Sequence, residues 1–554
     1  MQHGPAAPRD PREKGKKIYL LLDTPIDAVP RADGAMADEI YLDDGRLREK
    51  VAMMNGITRP EILALFDTAA GFRTLVAGVG VSFTAAATAV IDTTLVLYGS
   101  PDLSAKASCP ADGSETVLWL DELPFTGRER VVGQLRFLFP REEMTARVTV
   151  VFYLRPGYDL PAPVLEPPVD FASPDYQALL ARAQLSAGNN ARLKAVFAKA
   201  ERGEEIGLSF IGGSITQGAG AKPIQSECYA FRTRQGLQAL LGCQIAYTKA
   251  GIGGTSSELG MIRFEQDALR GGRPDVIVIE FAVNDEGDET GGRCYESLVR
   301  KALALPWQPA VLLLFSVFSN DWNLQGRLAP IGRYYNLPMV SVLDAVVPQF
   351  GKPAGEGGVI TKRQYFYDAF HPTNEGHRVM ADCLLRLFGD ALAAPADPPV
   401  LLPARALTGR TFEDVRLLRR AHPLPGAEVT PGGFAAHDAD LQCCELDESF
   451  HPTPQFPENW AHLPGGAAAP LILRLRCKSL FLLEKDAREE AFGKAAVTVD
   501  GKPCRVIDPH DVGWTHCNAL LLFESDTPAL HTVTVAMAPG DGEKQFTVLG
   551  FGVC

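Results

Sequence analysis

The segment Ile206-Gly-Leu-Ser-Phe-Ile-Gly-Gly-Ser-Ile-Thr216 sets the reading of the chain. It begins as an apolar run of strand length and breaks at two adjacent glycines. A serine follows, where a helix can start. Glycines at such a junction let the backbone turn sharply and let other groups approach closely. The run is apolar on both of its alternating faces, as in a strand of a parallel sheet covered on both sides. The pattern repeats outward from it. Strand-like Gln244–Thr248, Val276–Phe281, Ala310–Ser316 and Met339–Val342 alternate with helix-like stretches near Tyr229–Leu241, Ser257–Leu269, Tyr295–Leu303, Ala329–Tyr335 and His377–Phe388. Upstream, Asp175–Arg202 reads as helical, with a weak point at Gly188-Asn-Asn. Strands alternating with helices predict a three-layer α/β/α domain whose site lies at the carboxyl ends of the strands.

The flanks differ. Residues up to about 155 read as mostly β, with runs such as Thr93–Tyr98, Gln134–Phe139 and Arg147–Leu154 between turn signals. Arg155–Pro168 holds five prolines, a stiff linker and domain boundary. A second proline-rich break lies at Ala394–Pro403. Beyond it Leu471–Arg476, Ala495–Val499, Ala519–Phe523, Thr532–Met537 and Gln545–Leu549 read as strands, and Asp500-Gly501 marks a hairpin. The expected organisation is therefore an N-terminal β-sandwich over 1–165, an α/β domain over 170–395 and a C-terminal β-sandwich over 404–554, the sandwiches jelly-roll-like.

Composition limits the function. The 554 residues are 46% hydrophobic and 22% charged, as in globular chains, and 52 glycines and 41 prolines fit many turns. Sixty-seven acidic against 54 basic side chains give a net charge of −13, which disfavours nucleic acid as a partner. The first apolar run, Ile18–Leu22, is too short for a signal-peptide core or a membrane span, so the expectation is a cytoplasmic protein. The 11 cysteines form no C-x-x-C pair and no zinc-type cluster, so neither structural zinc nor another metal is expected.

Four segments carry chemistry. Ser214 follows Gly212-Gly213 and has the setting either of a serine cap at a strand–turn–helix junction or of an exposed nucleophile beside backbone N–H groups. Ala250-Gly-Ile-Gly-Gly-Thr255 is a tight loop whose N–H groups can help bind an anion, and its spacing misses the dinucleotide fingerprint. Val276–Asp285 ends in Asn284-Asp285, where an amide can donate to an oxyanion or simply close an Asx turn. Tyr367–His377 holds Asp368 and His371 three residues apart, so a carboxylate can orient an imidazole. Between His3 and His422 the only histidines are His371 and His377. An imidazole base for Ser214 from its own domain must be one of them. The Asp368 spacing favours His371, while His377 opens the closing helix, where packing or a surface role suits it.

Together the four segments resemble the SGNH/GDSL hydrolase family, over about residues 190–390. Phe210-Ile-Gly-Gly-Ser-Ile-Thr is similar to its nucleophile segment, Gly251-Ile-Gly-Gly254 to its glycine segment, Ala282-Val-Asn-Asp to its asparagine segment, and Asp368-Ala-Phe-His-Pro to its Asp-x-x-His-Pro segment. The resemblance implies Ser214 as nucleophile, His371 as base, Asp368 as its orienting group, and an oxyanion hole from the Ser214 and Gly254 N–H groups and the Asn284 amide. It implies no cofactor. Gly213 stands for the family's aspartate and Ala282 for a glycine, and neither position supplies catalytic chemistry. The Gly-Gly-Ser form is closest to carbohydrate O-acetylesterase branches, some of which carry a β-sandwich before the hydrolase domain. The expectation is a serine esterase removing small acyl groups, acetyl foremost, from a small-molecule or oligosaccharide ester. The alternatives are a lipase, thioesterase or arylesterase of the same fold, or a non-catalytic carbohydrate-binding protein. Trp119, Trp322, Trp460 and Trp514 are candidates to line a sugar site or to fill cores.

Overall fold

The computed structural model describes residues 18–31, 33–158, 166–446 and 452–554. Pro161 and Pro163 of the first linker lie outside them. Three β systems follow one another. Strands of the first end at Leu154, the α/β elements run from Pro174 to Ala393, and strands of the third run from Arg416 to Val553.

The central sheet has six strands in the order Gln184–Ser186, Met339–Ser341, Ala310–Phe315, Val276–Glu280, Ile206–Gly212, Ile245–Gly251. The last five are parallel, and Gln184–Ser186 is an antiparallel edge. The strands alternate strictly between two cores, as a period of two requires. Leu208, Phe210, Val276, Val278, Leu312 and Leu314 face helices Pro174–Arg182, Ala191–Glu201, Tyr229–Leu241 and Asn374–Ala393. Ile211, Ile277, Ile279, Val311 and Leu313 face helices Ser257–Ile262, Arg293–Leu303 and Gln325–Tyr334. The expected single helical stretch 175–202 is instead two helices around the edge strand. Its helix-favouring composition hid three residues whose conformation is set by pairing with Met339 and Val340. Likewise Ser257–Leu269 is one α-helical turn and a half followed by a π-helical turn, Phe264–Leu269.

Strand Ile206–Gly212 lies between Ile245–Gly251 and Val276–Glu280. The chain leaves it toward one side and later returns on the other. Its carboxyl end is thus the switch point of the sheet, where a crevice opens.

The N-terminal unit is a sandwich of two antiparallel sheets, with four and five strands, around one core that includes Val79, Leu95, Leu135, Phe137, Val148 and Phe152. Contrary to the mostly-β expectation, helices Arg46–Asn55 and Ala69–Leu75 also pack on that core through Leu47, Val51, Phe72 and Leu75. In the C-terminal unit the strands Leu471–Asp486 and His516–Met537 run antiparallel over their whole lengths. Register shifts near Cys477–Phe481 fold the sheet over a core of Leu473, Leu482, Val533, Val535 and Phe551. The expected separate strands Ala519–Phe523 and Thr532–Met537 are halves of one strand. Phe481, Leu483, Cys517 and Ala519 point the other way, into the core shared with the α/β helices. Full burial of Phe481 and Leu483 is worth about 1.5–3 kcal/mol each, so this sandwich is seated on the α/β domain. Among the described residues no helix is long and apolar enough to cross a membrane.

Candidate active site

Strand Ile206–Gly212 ends where helix Ser214–Gln217 begins, so Ser214 is the first residue of a helical turn and its N–H has no acceptor within the helix. The glycines around it are dictated by contact. A Cβ on Gly212 would meet Thr216 Oγ1 at 2.1 Å, and one on Gly251 would meet the Gln217 nitrogen at 2.0 Å. A Cβ on Gly213 would fall 2.5–2.7 Å from the Asn284 side-chain amide. The residue standing in place of the family's aspartate therefore makes room for Asn284 beside Ser214.

The other partner arrives from the loop before helix Asn374–Ala393. His371 Nε2 lies 2.9 Å from Ser214 Oγ, and His371 Nδ1 lies 3.0 Å from both oxygens of Asp368. Asp368 Oδ1 also accepts the backbone N–H groups of Phe370 and His371, each at 2.8 Å. An ionised carboxylate only accepts, so it takes the proton on Nδ1 and leaves the Nε2 lone pair for the serine hydroxyl. Burial alone would raise the Asp368 carboxyl. The charge and hydrogen bond of His371, then Lys50, outweigh it and hold Asp368 well below the usual carboxylate range.

His377 is a different kind of histidine. Its Nδ1 accepts the Tyr229 N–H at 3.2 Å, its Nε2 donates to the Ala219 carbonyl at 3.0 Å, and its ring stacks on Tyr229. One ring nitrogen accepts while the other donates, which only a neutral imidazole can do. Burial pushes it down from 6.5 to about 3. The unfolded chain takes up this proton first, so folding stability falls as pH drops below 6.5 and continues to fall toward 3. His377→Gln keeps one donor and one acceptor without a titrating group. Between about pH 7.5 and about pH 5 the native chain should lose about 2 kcal/mol more than this variant in urea unfolding. Parallel losses would show that His377 is not held neutral by the fold.

The Asn284 turn is fixed from below. Asp285 accepts the Ser257 N–H at 2.8 Å and the Ser257 hydroxyl at 2.7 Å, which ties this turn to the helix after the glycine loop. Beneath Ser214, Thr216 joins Tyr229 and Glu280, and Glu280 is bound by Ser316. Burial pushes Glu280 up to about 7 against these hydrogen bonds. Glu258, Asp288 and Cys294 bring potential metal-ligand atoms within 4.8 Å of one another. Asp288 accepts from Thr290 and Gly292 through both oxygens, and Glu258 accepts from Ser256 through Oε2. Burial and then Asp288 push Glu258 up to about 8.

Gly254 has φ of +72°, which disfavours any side chain, and a Cβ there would meet Trp514 Cζ2 at 2.9 Å and His516 Nε2 at 3.0 Å. Both belong to the C-terminal sandwich. A Cβ on the neighbouring Gly253 would be 3.9 Å from Ser214 Cβ. The structure thus brings Ser214, Gly254, Asn284, Asp368 and His371 to one crevice. Of the tryptophans, Trp119 and Trp460 are buried in the two sandwiches. Trp322 stacks on Phe318, which meets Phe370 beside His371, and it packs on the core of the α/β domain.

Sequence reasoning missed what the flanks add. Lys50, on helix Arg46–Asn55 of the N-terminal unit, donates to the Tyr367 carbonyl and lies 4.0 Å from the centre of the Tyr367 ring, next to Asp368. Burial pushes its amine down to about 8, with Asp368 opposing. Asp38 of the same unit pairs with Lys222. From the C-terminal unit, Glu445 accepts from Gln217 at 2.8 Å and Gln442 donates to the Gly253 carbonyl at 2.8 Å.

A hydroxyl, an imidazole and a carboxylate in line at a sheet switch point form the arrangement that serine hydrolases use. Residues 210–379 match the profile of the GDSL-like lipase/acylhydrolase family. A search of the curated proteins found no match. Among solved structures, the chain is similar to a two-domain esterase (CEX) active on acetylated mannans, at 26% identity and a TM-score of 0.58 over 68% of this chain and 98% of that one. The same esterase co-crystallized with mannopentaose gives 26% identity and a TM-score of 0.57, over 68% and 97%. The α/β domain thus carries a GDSL-like lipase/acylhydrolase region over residues 210–379, and the protein is a carboxylic ester hydrolase.

Proposed function

We propose that the protein is a serine esterase that removes small acyl groups, acetyl foremost, from a carbohydrate. The observation that carries the mechanism is the 2.9 Å approach of His371 Nε2 to Ser214 Oγ, with Asp368 on the other ring nitrogen. Ser214 attacks the ester carbonyl carbon as His371 Nε2 takes the hydroxyl proton. Asp368 holds the imidazole in the required tautomer and stabilises the imidazolium that forms. The Ser214 and Gly254 N–H groups and the Asn284 amide receive the oxyanion of the tetrahedral intermediate. The intermediate collapses with cleavage of the acyl–oxygen bond, and His371 returns the proton to the departing sugar hydroxyl. Water, deprotonated by His371, then attacks the acyl-enzyme. Acetate leaves and Ser214 is restored.

The preference for a sugar acetate rests on the similarity to an esterase active on acetylated mannans and on the Gly-Gly-Ser form of the nucleophile segment. Trp514, beside Gly254, offers an apolar face that suits the C–H face of a sugar ring. A profile over nitrophenyl esters of increasing chain length tests the small acyl group. If the acyl group is acetyl, acetate should be preferred to octanoate by at least about tenfold in kcat/KM. A rising profile toward long chains would instead indicate a lipase.

A further inference from the structure

The Gly253–Gly254 peptide is held by the C-terminal sandwich. Gln442 precedes the strand Cys443–Cys444 and is buried. Its Nε2 donates to the Gly253 carbonyl at 2.8 Å, and its Oε1 accepts the Cys517 N–H at 2.9 Å. Cys517 lies on strand His516–Met537, paired with Lys485 near the end of the two strands and facing the α/β domain. The Cys517 N–H needs an acceptor and the Gly253 oxygen needs a donor, so the amide has one orientation only. The same segment is anchored twice more. Glu445 accepts from Gln217, and the Leu446 carbonyl accepts the Lys249 N–H at 2.8 Å. Residues 442–446 therefore run as a strap along the nucleophile helix and the strand Ile245–Gly251.

In a planar trans peptide the C=O and N–H point in opposite directions. The Gly253 carbonyl points to Gln442, so the Gly254 N–H points away from Gln442. Neither glycine has a side chain to fix this unit, and φ at Gly254 is +72°. A hydrogen bond to the carbonyl also polarises the amide and makes its N–H a stronger donor.

We infer that Gln442 is a positioning residue for catalysis: it aims the Gly254 N–H at the oxyanion, so the oxyanion hole is built by two domains together. The inference rests on the proposed reading of Gly254 as an oxyanion donor. It places part of the catalytic machinery outside the α/β domain.

The test uses Gln442→Glu and Gln442→Met in the full chain. Glutamate keeps the size and an acceptor for Cys517 but sets an oxygen against the Gly253 carbonyl. Methionine keeps the length and loses both contacts. Loss of one oxyanion donor costs about 10²–10³ in kcat, and misaiming it should cost somewhat less, about 10–100-fold. KM for nitrophenyl acetate should stay within about threefold, because the oxyanion exists only past the ground state. Labelling of Ser214 by a fluorophosphonate, which also forms a tetrahedral adduct, should slow by a similar factor. Unchanged kcat in folded Gln442→Glu overturns the inference, as does a loss that merely tracks the fraction of unfolded protein in both variants. Ser214→Ala, run alongside, separates the two claims. Activity in Ser214→Ala contradicts the underlying reading. An inactive Ser214→Ala beside fully active Gln442 variants contradicts only the role of Gln442.

Discussion

Replacing Ser214 by alanine is expected to lower kcat/KM on nitrophenyl acetate by about 10⁴–10⁶, which corresponds to about 5–8 kcal/mol of lost transition-state stabilisation. The size follows from losing the nucleophile outright, with only binding and the anion site left to act on water. The fold should not register the change. The serine hydroxyl meets His371 at a partly exposed crevice, and alanine suits the first turn of a helix. Urea unfolding should therefore move by less than about 1 kcal/mol. Acetate release assays on folded protein check the first part, and circular dichroism with urea titration checks the second.

The second large effect is expected at Asp368→Asn. The asparagine Oδ1 can still accept from the Phe370 and His371 N–H groups, so the loop has a reason to keep its shape. Its NH₂ group cannot accept the proton on His371 Nδ1. With a donor at the Oδ2 position and Oδ1 shared with two backbone N–H groups, the tautomer with its proton on Nε2 is favoured, which presents a donor to the serine hydroxyl in place of a lone pair. A loss of about 10³–10⁴ in kcat with little change in KM is expected. The residual rate should climb with pH, as hydroxide replaces the missing base. A variant with native kcat would show that the His371–Asp368 contact does not set the tautomer.

The parts of this molecule that were readable from sequence are those fixed by local pattern. Strands such as Val276–Glu280 and Ala310–Phe315 are apolar on both faces because each face meets a helical layer. The motif segments were readable because each packs its chemistry into a few consecutive residues at a strand end. The edge strand Gln184–Ser186 was not readable, since three residues in a helix-like composition carry no period of their own. The bend that joins 516–537 into one strand depends on pairing with a distant segment. The same holds for the supports of the site. Lys50 precedes Asp368 by more than 300 residues, and Gln442 follows Gly253 by nearly 200. A lysine on a charged helix and a glutamine before two cysteines look ordinary until the domains are docked. Trp514 was visible as a candidate, but its place against Gly254 is a product of docking too. The scarcity of histidine was informative because it left only two imidazoles in the α/β domain. Burial and the Tyr229 and Ala219 contacts then give His377 to the fold.

The central claim is that this crevice, with Ser214 at its centre, hydrolyses acetyl esters of carbohydrates. The most direct measurement is acetate released from a panel of acetylated oligosaccharides, manno-oligosaccharides among them, by the native chain and by Ser214→Ala in parallel. The account predicts acetate release from at least one acetylated sugar by the native chain and none above background by the variant. No acetate from any sugar while long-chain esters are cleaved, or equal release by the two proteins, would contradict it.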